Sequence, residues 1–322
     1  MNLKRINSID NLKGIAIIGV IFIHMESGLF SRHTEEIIDF FQTIFSSCVL
    51  AFFFASGLVV KKLKGLEQIK SFVVNRVRRL LIPCIVFSIT YKLILISLTE
   101  MGYISVMEFP INISFQYFLK FIFNPVGPQF YFLIYLFIIG LFYAILDSLF
   151  SRRIIFLLSA ISIICIYFFI KLPTTITGPS YNLIPFYFFS YCIGSFFKEK
   201  AYEIRSIKLE LFLLIIWCIS LHLTSDFNGV FIHFLVPIIV WVLFEKVEYL
   251  STYFSKLSLG YYSSGIYVWH APILMPVTVM VLTQFINIPS LLIISIMVVV
   301  ILLCILLTVL TKKFKLLKLW RF

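Results

Sequence analysis

The chain is a series of apolar stretches, each near the length that carries a helix across a bilayer, separated by mostly short segments. We count ten, at approximately residues 12–30, 36–60, 80–98, 129–149, 153–171, 181–197, 209–224, 228–245, 259–284 and 289–311. A hydrocarbon core roughly 30 Å thick needs about 20 apolar helical residues, whereas a membrane β-barrel would show alternating segments of about ten. With 61% apolar residues, 13% charged and a mean hydropathy of +1.04, the chain exceeds what a soluble fold could hide. The expected architecture is all-α: a polytopic integral membrane helix bundle of about ten transmembrane helices, in a single domain over 1–322.

The formal charge of +12 invites a nucleic-acid reading, and its distribution argues against one. If both termini face the cytoplasm, the inner segments collect 23 of the 27 Lys and Arg residues, leaving Arg32, Lys92, Lys120 and Lys171. That asymmetry is the positive-inside rule, so the expected placement is multi-pass in the inner (cytoplasmic) membrane, N-in and C-in, with lipids as partners and no nucleic acid. Cys48, Cys84, Cys165, Cys192, Cys218 and Cys304 all fall in apolar stretches without a CxxC or Cys/His cluster, and read as core residues rather than disulfides or metal ligands. The basic N-terminal residues Lys4 and Arg5 precede a run with no A-x-A-like cleavage site, which reads as a retained first span.

Ionisable groups inside spans point to function. Eleven residues separate Lys13 from His24, so along a helix they lie roughly 16 Å apart, a cation at the inner surface and an imidazole near mid-bilayer. His270 lies about as deep in the ninth span, which starts from the same side. Two histidines at one level can line a common cavity; helix packing against a neighbouring carbonyl is the structural alternative. His33, His222 and His233 fall near outer helix ends. Arg76 and Arg79 are three apart and would share a helical face, where two guanidiniums suit a phosphate-bearing ligand, although lipid headgroups explain basic residues there equally well. Asp10 is a natural cap for the first helix. Glu26 lies toward the outer end of the first span, and Lys92, Gln129 and Tyr267 are further polar groups in or beside spans. The segment 99–128, rich in Pro, Gly and aromatic residues, is expected to roof a cavity. No G-x-S-x-G elbow, Walker loop, HExxH or C-x-x-C-H motif occurs, which leaves the hydrolase, ATPase, zincin and cytochrome readings without support.

Five segments in order resemble the acyltransferase 3 family of integral membrane O-acyltransferases, over residues 9 to about 273. They are Ile9 to Ala16 followed by His24, FFFASGL at 52–58, RVRRLLIP at 76–83, GPQFYFLIYL at 127–136 and SSGIYVWHAPI at 263–273. Lys13 stands where Arg is commoner in that family, and Tyr131 where Trp is frequent. Val49-Leu50-Ala51 lacks the Asp found in many members that carry a fused SGNH domain, and no such domain is expected after residue 311.

The resemblance implies transfer of a short acyl group, acetyl first among them, from cytoplasmic acyl-CoA to a hydroxyl of an exported or lipid-linked glycan. Acetyl-CoA would be the donor substrate, with no permanently bound cofactor and no metal. Lys13, Arg76 and Arg79 would hold the donor's phosphates and His24 would be the general base. His270 or Tyr267 would position the acceptor or stabilise the oxyanion, with Glu26 as a further member of the site. The other classes compatible with these residues are a transporter or flippase of a lipid-linked intermediate and a structural subunit of an envelope-polysaccharide assembly.

Overall fold

A backbone inside hydrocarbon must satisfy its own hydrogen bonds, and this chain does so by coiling almost everywhere. The structure is a computed structural model that describes residues 7–25, 30–63, 65–100, 128–169, 180–200 and 227–313. Among these residues there is no strand. The order is α1 (Asn7–Ile23), α2 (Arg32–Phe45), α3 (Cys48–Val59), α4 (Leu66–Arg76), α5 (Ile82–Glu100), α6 (Tyr131–Leu149), α7 (Arg152–Phe169), α8 (Ile184–Lys200), α9 (Phe227–Lys246), α10 (Glu248–Lys256), α11 (Leu259–Trp269), α12 (Met275–Leu282) and α13 (Pro289–Lys313). The expected seventh span at 209–224 and the roof segment, apart from its ends, lie outside the described residues, as does Glu26.

Among the described residues, three helical stretches are long and apolar enough to cross a membrane: Thr34–Val59, Tyr131–Leu149 and Pro289–Lys313. α13 is apolar all round. Ile293, Ile296, Val300 and Cys304 are buried on one side, while Ile294, Val298, Leu302 and Leu306 are exposed on the other, a pattern that only a lipid environment tolerates. Among the described residues the cysteines divide the same way, with Cys48, Cys84, Cys192 and Cys304 buried and Cys165 exposed, all as free thiols; Cys218 lies outside the described residues.

Two expected spans are interrupted, and each interruption has a chemical cause. In the second, Ser46 and Ser47 separate α2 from α3. The Ser46 hydroxyl donates to the Thr43 carbonyl at 2.6 Å, competing with the helical ladder, and Ser47 Oγ meets His233 Nδ1 of α9 at 2.8 Å. His233 is therefore engaged inside the bundle rather than solvated at a helix end. In the ninth, a wide π-type turn at His270–Leu274 separates α11 from α12, and Ala271 within it is extended at φ −128°, ψ 157°. Pro272 can supply no N–H there. A second wide turn, Val77–Leu81, joins α4 to α5 just ahead of Pro83, whose ring would crowd the carbonyl four residues back. Asp10 is also displaced from its expected place, since α1 already runs from Asn7 and Asp10 sits in its first turn rather than at a cap.

Close backbone approach organises the centre. A Cβ at Gly57 of α3 would collide with the Tyr191 carbonyl of α8, and one at Gly194 of α8 would collide with the Phe54 carbonyl of α3. These glycines let the two helices cross in backbone contact, the small-residue packing that replaces hydrophobic driving force in lipid. Ser190 Oγ then donates to the Leu50 carbonyl at 2.8 Å across the same contact. α1 threads between neighbours, tied at its start by Asn11 Nδ2 to the Ser251 carbonyl of α10 at 2.8 Å.

Candidate active site

α1 and α11 run side by side in the same direction. At their starts Gly260 lies against the Asp10 backbone so closely that a Cβ there would strike the carbonyl. At their far ends α1 stops at Ile23, and His24 occupies the first turn beyond it with its N–H on the Ile21 carbonyl at 3.2 Å. α11 delivers His270 to the same place: the two imidazole centroids are 5.0 Å apart, with the rings tilted by 50°. His24 is half-buried and His270 is 0% exposed.

The protonation pattern of His270 follows from its partner. Nδ1 lies 3.0 Å from the Ile266 carbonyl oxygen, which can only accept, so Nδ1 carries the hydrogen. A neutral His270 then offers a lone pair at Nε2, and Nε2 is buried with no hydrogen-bond partner among the described residues. His270 can accept a hydrogen bond from this face but has none to give.

The helix break around His270 is held by two side chains from elsewhere, Tyr91 and Gln129, and by Tyr267 of α11 itself. Because Pro272 lacks an N–H, the Val268 carbonyl loses its usual helical donor, and the Tyr91 hydroxyl of α5 replaces it at 2.6 Å. The Ala271 carbonyl, freed by the extended backbone, accepts from Gln129 Nε2. Tyr267 closes the loop, its hydroxyl donating to the Gln129 main-chain carbonyl, with its ring against Phe52 and Phe132. Gln129 itself precedes α6 in the short 3-10 turn Pro128–Phe130 and is 1% exposed. Its Oε1 has no partner among the described residues.

The basic residues gather toward the opposite end. Gly19 of α1 packs on Cys48, while Leu12 and Ala16 share a groove with Ala51, so α3 runs antiparallel to α1 and leads back toward the Lys13 end. There Gly57 meets Tyr191, whose hydroxyl takes a hydrogen bond from Arg76 Nη2 at 3.4 Å. The Arg76 guanidinium lies over the Phe72 ring and against Gly140 of α6, where a Cβ would come within 3.3 Å of it. Around it stand Tyr143, which shares a short hydrogen bond with Ser195, and the buried Arg152–Asp147 pair at 3.3 Å. Arg79, in the wide turn, is exposed, whereas Arg76 is half-buried. Lys13 is half-buried on α1. No group of three or more His, Cys, Asp or Glu side chains clusters among the described residues.

The structure thus brings His24, His270 and Tyr267 together, turns Arg76 inward and leaves Arg79 outside. Tyr91 and Tyr191 join the two sites as residues that the sequence left without a role, while Gln129, a polar group beside a span that could line the cavity or bond a neighbouring backbone, donates to the Ala271 carbonyl. Pro272 was the available signal for Tyr91, because a proline four residues after an intramembrane carbonyl demands a substitute donor.

This is an all-helical membrane protein whose interior holds a polar site between a histidine pair and a basic end. It matches the acyltransferase 3 family model, described as an acyltransferase domain, over residues 6–309, nearly the whole chain, and belongs to that family. It is therefore a membrane acyltransferase. Comparison with curated proteins and with solved structures returned no match.

Proposed function

We propose that the protein moves a short acyl group, acetyl first among them, from cytoplasmic acyl-CoA to a hydroxyl of a cell-envelope or exported glycan, with His24 as general base. The observation that carries the proposal is the His24–His270 pair, two imidazoles 5.0 Å apart inside a membrane acyltransferase. In this reading the bundle has about ten spans, N-in and C-in, in the inner membrane, and the donor approaches from the basic end.

His270, with Nδ1 committed to Ile266, keeps an unpartnered lone pair at Nε2 beside the His24 ring; on acceptor binding a turn of the His24 ring would bring its N–H to that lone pair and aim its second nitrogen at the acceptor hydroxyl. This is the logic of a base oriented by a third group. His24 removes the hydroxyl proton as the oxygen attacks the thioester carbonyl carbon. The tetrahedral intermediate collapses, the C–S bond breaks, and the thiolate leaves with the proton that His24 returns. His270 and Tyr267 both have their hydrogens committed to carbonyls, which favours positioning over oxyanion stabilisation.

Distances along the helices support the donor's path. Lys13 precedes His24 by eleven residues, and Gly140, where Arg76 lies, follows Gln129 by eleven, each about 16 Å at 1.5 Å per residue. An extended pantetheine arm covers such a span, which puts an anionic nucleotide end near Lys13 and Arg76 and a thioester near the histidines. Mass spectrometry of envelope glycans from cells with and without the protein is the test. An ester-sized mass increment that disappears in His24→Ala at unchanged protein level is expected. Acylation that survives in that variant sinks the base, and movement of the acceptor across the membrane without acylation sinks the reaction.

A further inference from the structure

We propose that Gln129 is part of the acceptor site, its Oε1 binding a second hydroxyl next to the one that is acylated, so that the acceptor is a vicinal diol. This rests on the reaction proposed above and names the class of its acceptor. The amide orientation is fixed by chemistry: only the NH₂ end can face the Ala271 carbonyl, so Oε1 is turned away from it. That oxygen is buried and without a partner among the described residues, in a residue held at its side-chain amide by the Ala271 carbonyl and at its main-chain carbonyl by Tyr267. An interior acceptor left bare costs free energy unless something with a hydrogen to give fills the place.

The donor substrate is the wrong shape for that role at this level. Its reacting group, a thioester, carries no hydrogen, and its nearest amide N–H stands two methylenes beyond the sulfur, on the arm that leads away toward the basic end. The group here with hydrogens to spare is the acceptor alcohol. One hydroxyl gives its proton to His24. A neighbouring hydroxyl on the same sugar is the nearest second donor, and Gln129 Oε1, beside Ala271 and thus next to His270 in the chain, is placed to accept from it.

The test uses the full-length protein in lipid nanodiscs with acetyl-CoA and an equimolar mixture of propane-1,2-diol and propan-1-ol, which differ by that one hydroxyl. Mass spectrometry reads the ratio of the two acetyl esters. The expected ratio favours the diol by about tenfold, the worth of one neutral hydrogen bond. It should fall to near unity in Gln129→Met and in Gln129→Lys. The lysine variant keeps a donor for the Ala271 carbonyl but has no acceptor, so it separates substrate binding from support of the helix break. A diol preference that persists in both variants, or that the lysine variant restores where the methionine variant loses it, overturns the proposal, as does loss of all product from both. Equal acetylation of both alcohols by the unaltered protein defeats the diol site alone. Acetylation of neither alcohol by the unaltered protein defeats the proposed reaction, and the site with it.

Discussion

The two polar sites along α6 are finished in opposite ways. At the basic end the charges are matched within the protein: Arg152 pairs with Asp147, with side chains 8% and 3% exposed, and Arg76 reaches Tyr191. At the histidine end the groups are neutral and two of their acceptors, His270 Nε2 and Gln129 Oε1, stand without partners among the described residues. The difference follows from what burial costs. A neutral acceptor can wait empty for about 1–3 kcal/mol, whereas an isolated ion in the same place costs several times that. A site for a neutral alcohol can therefore be kept open deep in the bundle, while cations belong near an end and with partners.

The largest effect should come from breaking the histidine end. His24→Ala should reduce acyl transfer by about 10²–10⁴-fold, the usual worth of a positioned base, measured as ester formed per unit of folded protein. If His270 acts only through His24, adding His270→Ala to that variant should cost little more, because residues working as one unit are non-additive. Full additivity of the two losses would show that the imidazoles act separately. Breaking the basic end should instead be read in stability. Asp147→Ala removes the carboxylate beside a buried guanidinium, and about 3–5 kcal/mol should be lost, seen as a depressed melting temperature in detergent. Arg76→Ala sharpens the contrast, since it should raise the donor KM by about tenfold with a smaller change in kcat. Arg76→Lys should recover part of the loss, as a point charge without the planar fork. A KM that does not respond would remove Arg76 from the donor's path.

The same contrast explains what the sequence could and could not show. The similar depth of His24 and His270 was legible because helical rise converts residue number into depth and both helices start at the same end; that they face each other was not, because spacing carries no contact between helices. Membrane character was legible from composition, and the family from ordered motifs. The Arg76/Arg79 pairing was not, because a three-residue spacing implies a shared face only in a regular helix. The wide turn ahead of Pro83 shifts the phase and leaves Arg79 exposed. The inward turn of Arg76 depends on the absent side chain at Gly140, on a helix far away in the chain. Gln129 was legible only as a polar group beside a span, with no partner named for it. Its role arises from a carbonyl freed 142 residues later.

The smallest expected effect tests whether the helix break is a supported feature of the histidine end. Tyr91→Phe removes one hydroxyl and no packing volume of consequence, leaving the Val268 carbonyl with neither its helical donor nor a substitute. Since Pro272 cannot step in, the loss should be about 1–3 kcal/mol, that of an unsatisfied buried carbonyl, and should appear as a lower melting temperature. Because Val268 is two residues before His270, the variant should also lower kcat while leaving the donor KM in place. That split separates the two ends: damage at the histidine end slows the chemical step, whereas damage at Arg76 weakens donor binding. A Tyr91→Phe protein with unchanged melting and unchanged kcat would mean that the break holds itself, and that its geometry around His270 is set by Pro272 and the Gln129 clamp alone.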